Sequence, residues 1–279
     1  MHLIPFHKTI SCCIHCKSED FKRIGQTSLA YNEFRCADCK RKFNERTSSP
    51  FNYLEQPTDV IMLVVRWYLS YKLSMRDLPE MFQERGFEFS HESVRSWILR
   101  FTPLLVAELR KRRCGKTGIS WYVDETYIKV KGEWAYLYRA IDRDGGLVDT
   151  MLSKTRNMSA ANRFFASAIK VTGSKPKRVT TDKHPPYPRA IDTTIGKRIK
   201  HRTNQYLNNR TEQSHRPVKQ RYYPMLGFGA FASAAIICQG IDELRNFFRP
   251  RSRIVLSLSQ KRCILASKKS SLAKMILKF

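Results

Sequence analysis

A carboxylate-bearing strand meander constrains this chain most. WYVDETYIKV (121–130), a Lys-Gly turn, WAYLYRAID (134–142), an Arg-Asp-Gly-Gly turn and LVDTMLS (147–153) follow one another directly. Apolar and polar residues alternate between turn dipeptides, so three antiparallel strands are expected. Downstream come a helix in SAANRFFASAIK, a strand in KRVTTD, a Pro-bearing helix near PPYPRAI, a strand in RIKHRT and a helix beginning near Arg210. Hairpins followed by alternating strand and helix predict an α/β domain with a mixed sheet. Residues 227–248 read as one further buried helix. The segment 250–279 reads as a basic tail, extended or partly disordered up to a short helix at its end.

The acids of this region stand out because they are few. Residues 151–279 hold 27 Lys and Arg but only Asp182, Asp192, Glu212, Asp242 and Glu243, whereas residues 1–150 hold 24 basic and 19 acidic side chains. Such a surplus, within a net charge of +27, suits a polyanionic partner whose phosphates neutralise it. Asp124 interrupts an apolar strand, where an ionised carboxylate is costly unless paired or metal-bound. Asp182 closes a strand, a usual place for site residues in open α/β sheets. Glu212, Arg216 and Lys219 are spaced i, i+4, i+7, presenting a carboxylate and two cations on one helical face. Glu125 is the main rival for the first carboxylate. Strand alternation turns it away from Asp124, so only one of the two is expected to face the site.

Toward the N-terminus, Cys13/Cys16 and Cys36/Cys39 form two CxxC pairs separated by 19 residues, a spacing suited to one tetrahedral zinc. Cys12 or His15 are alternatives to Cys13. A closed four-ligand site is structural, and the segment should not fold without its metal. Residues 58–113 read as helices. The first is TDVIMLVVRWYLSYK. A second, capped by Ser74 with Asp77, contains Pro79, which is expected to remove a donor and kink it. A third, capped by Ser90, buries Val94, Trp97, Ile98 and Phe101 and leaves Arg95 and Arg100 elsewhere on its surface. The last two suggest a helix-turn-helix, against the plainer reading of a helical bundle with a solvated face. RKRRCGK (110–116) reads as a basic linker. No apolar run reaches the ~20 residues of a membrane span, and the first residues lack the pattern of a secretory signal.

At WYVDETYIKVKGEWAYLYRAID, TTDKHPPYPRAI and HRTNQYLNNRTEQSHRPVKQRYYPMLGFGAF, the chain resembles the DDE transposases of bacterial insertion sequences. It is most similar to the insertion-sequence-six family, whose core is a retroviral-integrase or RNase H-like fold. The resemblance covers roughly residues 58–250, and the N-terminal cysteine segment resembles the zinc ribbon of some such enzymes. It implies a catalytic triad of Asp124, Asp182 and Glu212 holding Mg²⁺, with Mn²⁺ able to substitute, and Lys219 as an accompanying basic residue. Double-stranded DNA, both element ends and target, is the implied partner. Arg216, Arg95 and Arg100 are further candidate DNA contacts, and a dimer or larger assembly is implied. Only 29 residues separate Asp182 from Glu212, fewer than the mid-thirties familiar from many DDE transposases.

The expected layout is a zinc ribbon (1–50), a helix-turn-helix domain (51–116), a catalytic domain (117–250) and a basic tail (251–279). The expected location is the bacterial cytoplasm, at the nucleoid. Two rival readings use the same residues: a DNA-binding regulator with an inactive RNase H-like domain, and a hydrolytic nuclease without strand transfer. The two DNA-reading modules argue against a nonspecific nuclease, which needs neither.

Overall fold

The computed structural model describes residues 9–182, 184–203, 209–223, 227–249 and 257–276, with the side chains of 209–214 outside the description. The chain divides into two compact units, Met1–Phe101 with Ala266–Phe279, and Thr102–Leu265.

The larger unit is built on the meander. Strands β4 (Ser120–Val130), β5 (Glu133–Asp142) and β6 (Leu147–Ser153) pair antiparallel. Lys131 and Gly132 join the first two with φ of 53° and 83°, the left-handed pair that a tight hairpin requires. Parallel strands β7 (Arg178–Thr181) and β8 (Lys200–Thr203) then extend the sheet from β4, giving the order β6-β5-β4-β7-β8. The expected α/β class with a mixed sheet is the one observed.

Helices α4 (Met158–Thr172) and α5 (Pro186–Thr194) cover one face. Asn157 caps α4 by accepting the Ala160 N–H at 2.9 Å, and Gly173 ends it in the left-handed conformation. Their apolar stripes place Phe164, Phe165, Ala168, Tyr187 and Ile191 against Trp121, Val123, Tyr138 and Ala140 of the sheet, the unit's main core. α6 (Asn209–Tyr222) lies against β4, and α7 (Phe231–Phe248) against β6.

The basic run at 110–113 is not a linker. Helix α3 (His91–Arg113) continues through it. Arg113 donates to both oxygens of buried Glu243 at 2.7 and 2.8 Å, while Arg110 pairs with Glu243 and Asp149 at 2.9 and 2.8 Å. These partners lie far along the chain, which is why the run looks solvated when read locally.

In the smaller unit, β1 (Phe21–Gln26), β2 (Asn32–Cys36) and β3 (Lys42–Asn44) form an antiparallel sheet. The aromatic rings of Trp67 on α1 (Thr58–Ser70), Phe82 on α2 (Asp77–Gln83), Phe89 and Trp97 on α3 pack in succession, with centroids 4.9–5.6 Å apart. Ser74 and Asp77 do exchange hydrogen bonds, although regular helix begins only at Asp77. Pro79 is therefore the third residue of α2, inside the first turn, where its missing N–H has no intrahelical partner to lose. The expectation of an interior kink fails for that reason. The segment read as an extended tail is also helical over Leu258–Ile276 (α8). LSQKRCILASKKSSLAKMI lacks Gly and Pro and is rich in helix formers, and this outweighs its weak apolar pattern.

Candidate active site and metal centre

Strand register brings two of the expected carboxylates together. The parallel ladder of β4 and β7 pairs Tyr122 with Thr180, and Asp124 and Asp182 lie two residues farther along their chains. Oxygens of Asp124, Asp182 and Glu125 all lie within 4.8 Å of one another. An all-carboxylate donor set of this kind fits a hard divalent cation.

The rivalry between Asp124 and Glu125 resolves differently from the expectation. Asp124 faces α6, where Nε2 of His215 lies 3.6 Å from its Oδ2. Glu125 faces the core side, yet its carboxylate still reaches the cluster at the strand's end. It is buried and receives hydrogen bonds from the Tyr187 hydroxyl and the Arg156 guanidinium. Arg156 also reaches Oδ2 of Asp182 at 3.4 Å, and the His184 N–H donates to Oδ1 of Asp182 at 3.0 Å. Asp182 is thus clasped from both sides.

Charge in this cluster is coupled. Burial raises the pKa of Glu125, the Asp182 charge adds to the rise, and Tyr187 and Arg156 oppose it. Burial, followed by the Glu125 charge, pushes Tyr187 well above the usual phenol range and Tyr138 up to about 12. Burial works against the charge of Arg156, but Glu125 outweighs it and holds the guanidinium above its ordinary value. Burial and the Arg156 charge lower His184.

Glu212 lies in α6, but its side chain is outside the described residues. On the same helix Arg216 is exposed and Lys219 half-buried, while His215, Val218 and Tyr222 are buried. Arg95 and Arg100 are exposed on α3, Arg95 beside Glu92 at 3.5 Å. Arg156, Tyr187 and His215 escaped the sequence reading. The only local signal was the position of His215, three residues after Glu212 and thus on its helical face.

The four cysteines also converge. Sγ of Cys13 lies 3.7 Å from that of Cys39, and Sγ of Cys16 lies 3.5 Å from that of Cys36. Bonds of ~2.3 Å to a tetrahedral zinc would hold sulfurs about 3.8 Å apart, so the set fits. Lys17 and Lys40, each directly after the second cysteine of a pair, have φ of 66° and 58°, folding each pair into a knuckle. Cys12 and His15 are not part of this cluster.

A family profile described as a DDE domain matches residues 118–251. The transposase for insertion sequence-like element IS431mec of Staphylococcus aureus strain N315 is 42% identical over 176 residues, which cover 61% of this chain and 77% of that protein. The transposase for insertion sequence element IS257 in transposon Tn4003 of Staphylococcus aureus is 41% identical over the same shares. Among solved structures, the HTLV-2 integrase catalytic core domain in complex with magnesium (trimeric form) aligns at 20% identity and a TM-score of 0.36, covering 53% of this chain and 95% of that one. With a DDE profile over its mixed-sheet unit and this identity to insertion-sequence transposases, the chain belongs to the insertion-sequence-six family of DDE transposases.

Proposed function

We propose that this transposase cuts and joins DNA at the terminal repeats of a bacterial insertion sequence, with Asp124, Asp182 and Glu212 as its catalytic carboxylates. The observation that carries this reading is the placement of Asp124 and Asp182, on adjacent parallel strands, with oxygens within 4.8 Å in a strongly basic chain. Mg²⁺, or Mn²⁺ in its place, would be held by these three residues. When bound, it supplies an activated oxygen nucleophile and charge stabilisation for the leaving oxygen of an in-line displacement.

The chain's own residues prepare that site. Arg156 and the His184 N–H fix the orientation of Asp182, and His215 bounds Asp124 on its α6 side. Lys219 and Arg216 would contact the phosphate backbone from α6. Zn²⁺ held by Cys13, Cys16, Cys36 and Cys39 would stabilise the ribbon. That ribbon and the α2–α3 pair, with exposed Arg95 and Arg100, would recognise the element's ends as a helix-turn-helix reader. In this reading the ribbon (1–50), the helical reader (51–116) and the catalytic domain (117–250) act on double-stranded DNA, with at least two copies pairing two ends. The work is done at the nucleoid in the cytoplasm. Among the described residues, no helix is long and apolar enough to cross a membrane.

The test is incubation of the purified chain with a supercoiled plasmid carrying the DNA that flanks its gene, with Mg²⁺ or EDTA, beside Glu212→Gln. Nicking at discrete flanking positions that needs Mg²⁺ and vanishes in the variant is the expected result. Specific binding without nicking would favour the regulator reading, and scattered nicking the nuclease.

A further inference from the structure

The sheet face under α4 and α5 continues beyond those helices. Register pairs Tyr127 with Tyr136 and Lys129 with Trp134. Alternation places all four on the same face as Glu125 and Tyr138. Tyr138 is buried against Phe164 and Tyr136 is half-buried, but Tyr127 and Trp134 are 48% and 56% exposed. The Tyr127 ring lies 5.3 Å from Tyr136 and 6.1 Å from Trp134, and Nζ of Lys129 stands 5.5 Å over the indole. Among the described residues, one side chain joins the strip to the carboxylates. Arg156 donates to the Tyr127 hydroxyl at 3.3 Å and pairs with Asp182 at 3.4 Å.

We infer that Tyr127, Trp134 and Tyr136, with Lys129, form a stacking platform for an unpaired nucleobase next to the phosphate being cut. This rests on the proposed DNA-cutting role of the adjacent carboxylates. Exposed rings contribute nothing to the core while they remain in water, but each offers a π-face that any base can stack on. The ammonium beside them neutralises the phosphate that accompanies the base. In an intact duplex both faces of a base are already stacked. The occupant that fits is therefore a base freed at a strand end or a melted step, and the strip's continuity with Asp182 places that base beside the scissile bond.

The experiment uses the full-length chain in EDTA with two oligonucleotide probes: a blunt duplex, and the same duplex with a short single-stranded overhang carrying 2-aminopurine at its first unpaired position. The wild type should bind the overhang probe more tightly than the blunt one and quench the 2-aminopurine. Trp134→Ala should reduce that preference about tenfold and abolish the quenching, while Trp134→Phe, which keeps a ring, should retain most of both. Trp134 is largely exposed, so both variants should fold, as circular dichroism will verify. Equal binding of the two probes by the wild type, or unchanged quenching in Trp134→Ala, overturns the platform. Unchanged quenching together with loss of a dimer in sedimentation would show that the strip instead contacts a second copy. Failure of the proposed function has a separate signature: no Mg²⁺-dependent nicking of plasmid by the wild type, whatever the probes do.

Discussion

Nε2 of His215 lies 3.6 Å from Oδ2 of Asp124, and the imidazole is only 2% exposed, with neither ring nitrogen hydrogen-bonded among the described residues. Burying a polar ring is costly, so its placement against a carboxylate calls for a role. His215 is suited to restrict the orientation of Asp124, as outer groups do around metal ligands. His215→Ala should weaken Mg²⁺-dependent nicking by about tenfold or more and move the Mg²⁺ concentration for half-maximal activity upward. Unchanged Mg²⁺ dependence would remove His215 from the positioning of Asp124.

The ribbon's apolar cluster is small, with Cys13, Cys36 and Phe43 as its buried members. So little core cannot hold such a fold without a cross-link or a metal. Replacing Cys36 and Cys39 by Ser should eliminate bound zinc in elemental analysis and strip hydrogen-exchange protection from residues 9–50. Retained protection in a zinc-free protein would show that the ribbon folds on its own.

Glu125 is charged against burial and depends on Arg156 for compensation. Arg156→Ala should destabilise the larger unit by ~3 kcal/mol, the low end for breaking a buried pair. The pH dependence has a definite sign. A folded-state pKa raised above that of an ordinary glutamate means that the native state holds the proton more tightly than the unfolded chain. Stability is therefore highest below about pH 4.5 with respect to this group, and falls as pH rises through the raised value. Removing Arg156 deletes an opposing influence and steepens that fall. Adding Glu125→Gln should abolish the extra slope in urea titrations at several pH values. A slope equal to that of the wild type would rule out Glu125 as the titrating group.

Glu243 carries a similar burden on the sheet's other face, where it accepts from Arg113 and Arg110. Glu243→Leu should cost about 3–5 kcal/mol by leaving Arg113 buried and uncompensated. Arg113→Met combined with Glu243→Leu should recover much of that loss, because Arg110 keeps Asp149. Denaturant midpoints of the single and double variants decide the matter. A double variant no more stable than the single one would place the loss in packing rather than charge.

What the sequence by itself determined was local. The Lys131-Gly132 turn, the CxxC knuckles and the strand alternation around Asp124 each depend on residues a few positions apart, so their signals survive in a linear reading. The carboxylates Asp124 and Asp182 were legible too, because an acid in or at the end of an apolar strand stands out against its neighbours. Tertiary structure decided how buried charge is compensated. Arg156 reaches Glu125 across 31 residues, Tyr187 across 62, and Arg113 reaches Glu243 across 130. It likewise decided that Arg110–Arg113 belong to a helix rather than a linker, and that Glu125 reaches the cluster despite facing away from Asp124. The physical reason is one of range. Turns, caps and periodicity are set by backbone sterics over a single turn or pleat, whereas the partner of a buried charge is chosen by sheet register and helix packing, which bring together segments that share no local pattern.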